Sequence, residues 1–375
     1  MDVRPRGGQP APRRASRRLA FITALLAYAV VPGLLAPPAP AGPGAPAPRL
    51  ALTPQPSAPS QSTPPETAPE VQPEDQQSPT AEVRVLVSGD VLIHNSVWEA
   101  ARTSGGFDFA PLLAGIRRHV RSADIAWCHL EIPLAAPEGP FLSYPRFSAP
   151  PQLAEGLRAT GYDGCSTASN HSVDQGTPGV IRTLDTLDEA GIAHVGTARS
   201  RKEARRPLLV RVNDITVAWL SYTYGTNGLP VDAERPWSVN LIDPERIVAD
   251  ARRARRAGAD AVLVALHWGT EYVTEPTPDQ RRLAEQLTRS RAITLVYGHH
   301  AHVVQPIEKV NGTWVVYGLG NLLADQGTVA AGVNDGLMVE FVLRRRADGR
   351  VVAGRPEPIP TRIVRNGGPH VVVAP

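Results

Sequence analysis

From Val83 onward the chain alternates short apolar runs with amphipathic stretches that stop at glycine, and this alternation limits the fold more than any other feature. "VRVLVSG", "DIAWCHLEIPL", "YDGCSTASNHSVD", "AVLVALHWG" and "ITLVYG" are short, apolar and bounded by turn residues, so they read as strands. Between them, "FAPLLAGIRRHVRSA", "APPQLAEGLRATG" and "GVIRTLDTLDEAG" read as helices. Thr177 is placed to cap the third of these, with Pro178 in its first turn. Asp243-Pro244 starts a helix that ends near Gly258. Thr277, Pro278 and Gln280 form a cap, a first-turn proline and a capping box. Strand–helix alternation requires parallel strands joined by crossover helices, which places the chain in the α/β class. Two stretches break the pattern. "PLLVRVNDITVAWLSYT" is a hairpin around Asn213-Asp214, and "VVQPIEKVNGTWVVYGLGN" is another around Asn311-Gly312. "GLMVEFVLRR" and "RIVRNG" add late strands, and no internal repeat is visible.

The first eighty residues are of another kind. Residues 1–36 join a segment with six arginines to the uncharged run "FITALLAYAVVPGLLA". A basic stretch before an apolar one is an export signal, which fits either a cleaved signal peptide or an uncleaved membrane anchor. Residues 37–80 hold fourteen prolines and no aromatic residue. Such a stretch buries too little apolar surface to fold and reads as an extended, disordered tether. The folded domain is therefore expected at 81–375, extracytoplasmic, and membrane-anchored or secreted. The formal net charge of the 375-residue chain is +3, less than the N-terminal arginines alone supply. Nothing argues for nucleic-acid binding. The two cysteines, Cys128 and Cys165, lie in apolar strands, where they are either buried thiols or one disulfide.

The chemistry collects just after the strands. "LVYGHHAHVVQ" (Leu295–Gln305) ends an apolar run in a histidine cluster, and His300 and His302, two apart, share a side in extended backbone. Asp90, Glu131, Asn170, His171 and His267 follow four other strands. In α/β sheets the carboxyl ends of strands are where ligands sit. Each residue alone has an ordinary structural reading as a turn aspartate, an edge charge, a turn amide or a core histidine. Their recurrence at one topological place favours a metal centre. Mixed oxygen and nitrogen donors with little sulfur suit Zn²⁺, Mn²⁺ or Fe rather than Ca²⁺. Seven donors exceed one tetrahedral ion and fit two divalent ions sharing a carboxylate, an arrangement used in ester hydrolysis. Asp174 is placed to hold His171 through its other ring nitrogen, or to cap the following helix. Trp268, Glu271 and Tyr272 are candidates for a cleft wall. His94 and His119 are expected to lie outside the site.

"SGDVLIH", "HLEIPL", "TASNHSVDQGTPGVIRTLDTLDEAGIAHVG", "LHWGTEY" and "YGHHAHVVQPIE" followed by "VVYGLGNLL" resemble the CapA family of poly-γ-glutamate capsule proteins, similar in fold to the calcineurin-like metallophosphatases. The resemblance runs over about Val83–Leu343. It implies a four-layer α/β/β/α sandwich of the metallophosphatase type and the ligand set already named. The chain departs from the pattern at Leu92, where a metallophosphatase has histidine, and at His129, Ser169, Ala301 and Gly318. The loss at Leu92 puts two-ion occupancy in question. The function implied is a metal-dependent hydrolase or transferase, with Asp90 and His300 acting in catalysis. It would take part in the synthesis, export or anchoring of an anionic polymer or peptide, beside a membrane polymer synthase. The alternatives are a non-catalytic envelope scaffold for polymer export and a metal-free peptide epimerase.

Overall fold

The structure, a computed structural model, describes residues 81–374. The export signal and proline-rich tether expected at 1–36 and 37–80 lie outside the described residues. The chain enters on β1 (Glu82–Leu92), then passes through α1 (Asn95–Ala100) and a small ribbon of β2 (Arg102–Thr103) and β3 (Gly106–Phe107). "FAPLLAGIRRHVRSA" is a 3-10 turn over Ala110–Ile116 running into α2 (Arg117–Ser122). A crossover region follows with β4 (Ile125–Leu130), α3 (Gln152–Thr160), β5 (Gly164–Ser166), α4 (Gly176–Glu189), β6 (Ala193–Val195) and α5 (Arg201–Arg205). Strands β1, β4, β5 and β6 pair in parallel, as the alternation requires.

A second sheet begins with the hairpin β7 (Leu208–Val212) and β8 (Ile215–Thr223), whose turn residues Asn213 and Asp214 both have positive φ, at 46° and 61°. It continues through α6 (Pro244–Arg256), β9 (Ala261–His267), α7 (Pro278–Thr288), β10 (Leu295–His299) and the hairpin β11 (Ile307–Val310) and β12 (Thr313–Val316). Its order is β11-β12-β10-β9-β8-β7. The chain then returns to the first sheet with β13 (Asn321–Ala324), β14 (Asp335–Arg345), β15 (Val351–Ala353), β16 (Glu357–Val364) and β17 (His370–Val373). β13 lies parallel to the end of β1, and β14 antiparallel to its start.

Two-residue periodicity builds the layers. Val83, Val85 and Val87 of β1 point into a core shared with Val217 and Trp219 of β8, Leu263 of β9 and Leu295 of β10. Leu86, between them, packs the other way, against a core with Val97, Leu113, Leu157 and Leu184 from the helical segments. On the far side, Val262, Val264 and Val296 pack on Ile247 and Ala251 of α6 and Leu287 of α7. The order is therefore helix, sheet, sheet, helix, the four-layer sandwich expected. Stacked Trp127 and Trp219, with ring centroids 4.3 Å apart, bridge the sheets at its centre.

Local signals held unevenly. Asp243 caps α6 by accepting from the Glu245 and Arg246 N–H groups, and Thr277 and Gln280 form the full capping box. Thr177 does not cap α4, which starts one residue earlier. Its hydroxyl donates to Asp232 instead, a partner 55 residues away. Cys128 and Cys165 sit opposite each other on β4 and β5 and form a disulfide.

Candidate metal centre

The carboxyl ends of β1, β4, β5, β9 and β10 meet where the two sheets face each other. Asp90 comes from β1, Glu131 follows β4, Asn170 and His171 follow β5, and His267 ends β9. All are buried, and so are His129, His299, His300 and His302. Two groups of three donors have ligand atoms within 4.8 Å of one another: Asp90 with His129 and His299, and Glu131 with His300 and His302.

A chain of hydrogen bonds orients the donors of the centre. His129 Nδ1 is hydrogen-bonded to Ser166 Oγ at 2.9 Å, and that hydroxyl also lies 3.3 Å from the Cys128 carbonyl. His129 Nε2 is hydrogen-bonded to His267 Nδ1 at 3.0 Å. The other ring nitrogen, His267 Nε2, hydrogen-bonds the Asn170 amide oxygen. It stands 2.9 Å from Asn170 Oδ1 and 3.6 Å from Glu131 Oε1. The Asn170 amide is oriented by its Nδ2–H, which donates to Asn227 Oδ1 at 3.2 Å. An imidazole nitrogen, an amide oxygen and a carboxyl oxygen thus converge at one point.

His302 reaches the same point. Its Nδ1–H faces Asn321 Oδ1 at 3.0 Å and Asp90 Oδ2 at 3.3 Å, and its Nε2 stands 3.8 Å from Glu131 Oε1. Asn321 is fixed by donating to the Val333 carbonyl and to Gln326. Both Glu131 oxygens, His299 Nε2 and His300 Nδ1 are buried without any partner. Unpartnered polar atoms this deep in the protein are costly unless a cation sits among them. The donor set therefore fits a divalent transition ion.

The electrostatics agree. Burial, reinforced by neighbouring imidazoles, pushes His129 and His267 well below the ordinary histidine range, so both are neutral and able to ligate. Burial and His302 pull His300 down to about 3. Burial pushes the Glu131 carboxyl well above its usual range. Burial also opposes the charge of His302, but Glu131 and Asp90 outweigh it and push His302 up to about 9. Burial works against ionised Asp90 too, yet hydrogen bonds to His299 and His302 hold it well below the carboxylate range. The centre attracts positive charge, and its one ionised carboxylate is already bonded.

Asp90 accepts from His299 Nδ1 at 2.7 Å and from the His300 backbone N–H at 3.1 Å. It thereby ties β1 of one sheet to the end of β10 in the other. His171 stands beside the cluster. Its Nδ1–H donates to Asp174 Oδ2 at 2.8 Å, and the same oxygen accepts from the Phe147 N–H at 2.7 Å. Asn170 and His171 form part of the wall of a cavity of about 300 Å³, with Tyr144, Arg146, Asn227 and Glu271.

Of the residues singled out in the sequence, Asp90, Glu131, Asn170, His267, His300 and His302 come together, with His171 and Asp174 alongside. The period-two argument for His300 and His302 does not hold. β10 ends at His299, and His300 and His302 adopt φ of 88° and 56°, a left-handed backbone that L-residues avoid. That turn brings all three imidazoles to one cavity, whereas extended backbone would send His299 away. Trp268 is no cleft residue, being buried and donating to the Tyr317 carbonyl at 2.9 Å. Leu92 packs in the helix-facing core, and His94 Nδ1 accepts from the Asp325 N–H. Sequence reasoning missed His129, His299, Asn321 and Asn227. The repetition of His in "GHHAH" was a signal for His299. Asn227 carried none, since it lies in an irregular loop.

The family model for the bacterial capsule synthesis protein PGA_cap matches residues 84–326. The PGA biosynthesis protein CapA of Bacillus subtilis (strain 168) is 33% identical over 196 residues, 52% of this chain and 50% of that protein. A probable polyglutamine synthesis accessory protein of Mycobacterium tuberculosis is 32% identical over 171 residues, 43% of this chain and 45% of the relative. The chain thus spans about half the length of the curated relatives it matches. Among solved structures, the calcineurin-like phosphoesterase YfkN of Bacillus subtilis aligns with a TM-score of 0.47 and 14% identity over 75% of this chain and 90% of that one. The layer order above rests on the packing of this chain and not on that likeness. Because the family model covers most of the folded part, in register with the strands that carry the donors, the chain belongs to the PGA_cap family of bacterial capsule synthesis proteins.

Proposed function

We propose that this protein is an extracytoplasmic, metal-dependent hydrolase or transferase of the cell envelope, acting on poly-γ-glutamate or a related anionic polymer. The observation that carries this reading is the convergence of His267 Nε2, Asn170 Oδ1 and His302 Nε2 on a buried Glu131 whose two carboxyl oxygens have no hydrogen-bond partner. Glu131, Asn170, His267, His300 and His302 would hold a divalent transition ion, with Asp90, His129 and His299 behind them or around a second. Such an ion supplies Lewis acidity toward a carbonyl or ester oxygen. His171, oriented by Asp174, is the residue placed to hold a proton for the leaving group. Asn227 fixes the Asn170 amide, and buried Asp90 and Asn321 fix the tautomers of His299 and His302. The likeness to a PGA biosynthesis protein and a polyglutamine synthesis accessory protein supports a role in polymer synthesis, which we place beside a membrane synthase. The Cys128–Cys165 disulfide supports an oxidising compartment, as does the arginine-flanked apolar run.

Elemental analysis of the full chain purified without chelators tests the reading. Stoichiometric Mn, Zn or Fe is expected, lost in His267→Ala and kept in His94→Ala and His119→Ala. Less than about a tenth of an equivalent, restored by none of these ions, ends it in favour of a scaffold. Release of glutamyl fragments from poly-γ-glutamate by the metal-loaded chain, lost in His171→Ala, separates catalysis from mere binding. A reporter fused after Pro79 is expected to be active only when exported.

A further inference from the structure

The cavity beside the metal centre contains two opposite charges that do not neutralise each other. Arg146 directs its Nε–H and one Nη–H to the Asp174 carbonyl and forms no salt bridge among the described residues. Glu271 lines the same cavity and also has no salt-bridge partner among the described residues. Its charge is felt by Glu131, His302, Tyr224 and Tyr272, so it stands close to the centre. Asn170 and His171 form the wall that these two charged residues share.

A carboxylate at this place is at odds with a polyanion. Each internal residue of a γ-linked glutamate chain carries a free α-carboxylate, and Glu271 repels it in a partly desolvated cavity. The one positive charge on such a chain is the α-ammonium at its amino end. There, ammonium and carboxylate sit on the same carbon, a pair that matches one anion and one cation in a small cavity. At about 300 Å³ the cavity is at the low end of the range for ligand sites, roughly 300–1,000 Å³, and suits a chain end rather than a long stretch of polymer.

We propose that this cavity recognises the free amino terminus of a γ-glutamyl chain, with Glu271 taking the α-ammonium and Arg146 the α-carboxylate. This rests on the polymer reading above and adds that the site works from the amino end. Recognition of this kind makes the chain end, and not the chain interior, the part of the polymer presented to His171 and the metal ligands.

The test is calorimetric binding of γ-linked triglutamate to the full chain, in D and L forms, with the amino terminus free or acetylated. The free form is expected to bind about tenfold or more tightly than the acetylated one. Glu271→Gln, on a half-exposed loop residue, is expected to erase that preference while keeping the melting temperature. Arg146→Gln is expected to weaken the free form. Equal binding of free and acetylated peptides, or a preference that survives Glu271→Gln, overturns amino-end recognition and leaves the polymer reading standing. Absence of binding by either peptide to the metal-loaded chain overturns both.

Discussion

Glu131 shows how a single side chain can be the wrong choice for stability and the right one for a site. It is fully buried, with both oxygens unpartnered, and burial drives it toward the neutral acid. With metal stripped, Glu131→Gln replaces one neutral buried group by another of the same shape. Its melting free energy is therefore expected to fall within about 1 kcal/mol of chelated wild type. The variant should then gain nothing on adding back Mn²⁺ or Zn²⁺, whereas wild type should. His94 makes a different point. Burial lowers it to about 4, and its Nδ1 lone pair faces the Asp325 N–H at 3.1 Å. Its folded pKa is below the unfolded value near 6.5, so the unfolded chain binds the extra proton first. Its contribution is intact above pH 6.5 and is lost as pH falls from there toward 4, by up to about 3 kcal/mol. Urea melts of wild type and His94→Gln across that window check this, and the variant is expected to show the shallower decline.

At the scale of elements, β10 carries the most chemistry and tolerates the least change. It is central in its sheet, paired in parallel with β9 and β12, and it delivers His299 and the left-handed turn behind it. Gly298 lets it do so. A Cβ there would sit 1.9 Å from the Tyr317 carbonyl and 2.3 Å from Trp268 Nε1. Neither neighbour has room to retreat, since Trp268 is itself bonded to that carbonyl. Gly298→Ala is expected to cost about 3 kcal/mol and to reduce metal content, because His299–His302 move with the strand. Gly105→Ala, with nothing within 4 Å of the new methyl, is the control and should change stability by less than about 0.5 kcal/mol. Denaturant midpoints and elemental analysis of both variants decide the matter.

For the whole molecule, the centre is a joint between layers. Asp90, Glu131 and Asn170 belong to the first sheet, and His267 and His299–His302 to the second. A cation bound among them joins the sheets at their open edge, as the Trp127–Trp219 stack does in the middle. Ligands from both sheets exist as a set only in the native fold, so binding stabilises by mass action. At a free metal concentration of a hundred times Kd the gain is about 2.7 kcal/mol. Chelation is expected to lower the melting temperature by several degrees, and re-addition to restore it. An unchanged melt on chelation of metal-loaded protein would contradict this joint.

The sequence by itself determined the α/β class, because strand–helix alternation calls for parallel strands with crossover helices, and it named seven metal-site candidates by their place after strands, six of which meet in the centre. Hairpins at Asn213-Asp214 and Asn311-Gly312 and the caps at Asp243 and Thr277 were legible because the partners are a few residues apart. Only the tertiary structure decided what each polar atom faces. Thr177 left its cap for Asp232, and Trp268 went into the core. His129 entered the centre because β4 and β9, in different sheets, meet there. Such pairings depend on the angle and spacing of two sheets, which no local run of residues encodes. The two unneutralised charges at Arg146 and Glu271 arise in the same way, since loops 125 residues apart line one cavity.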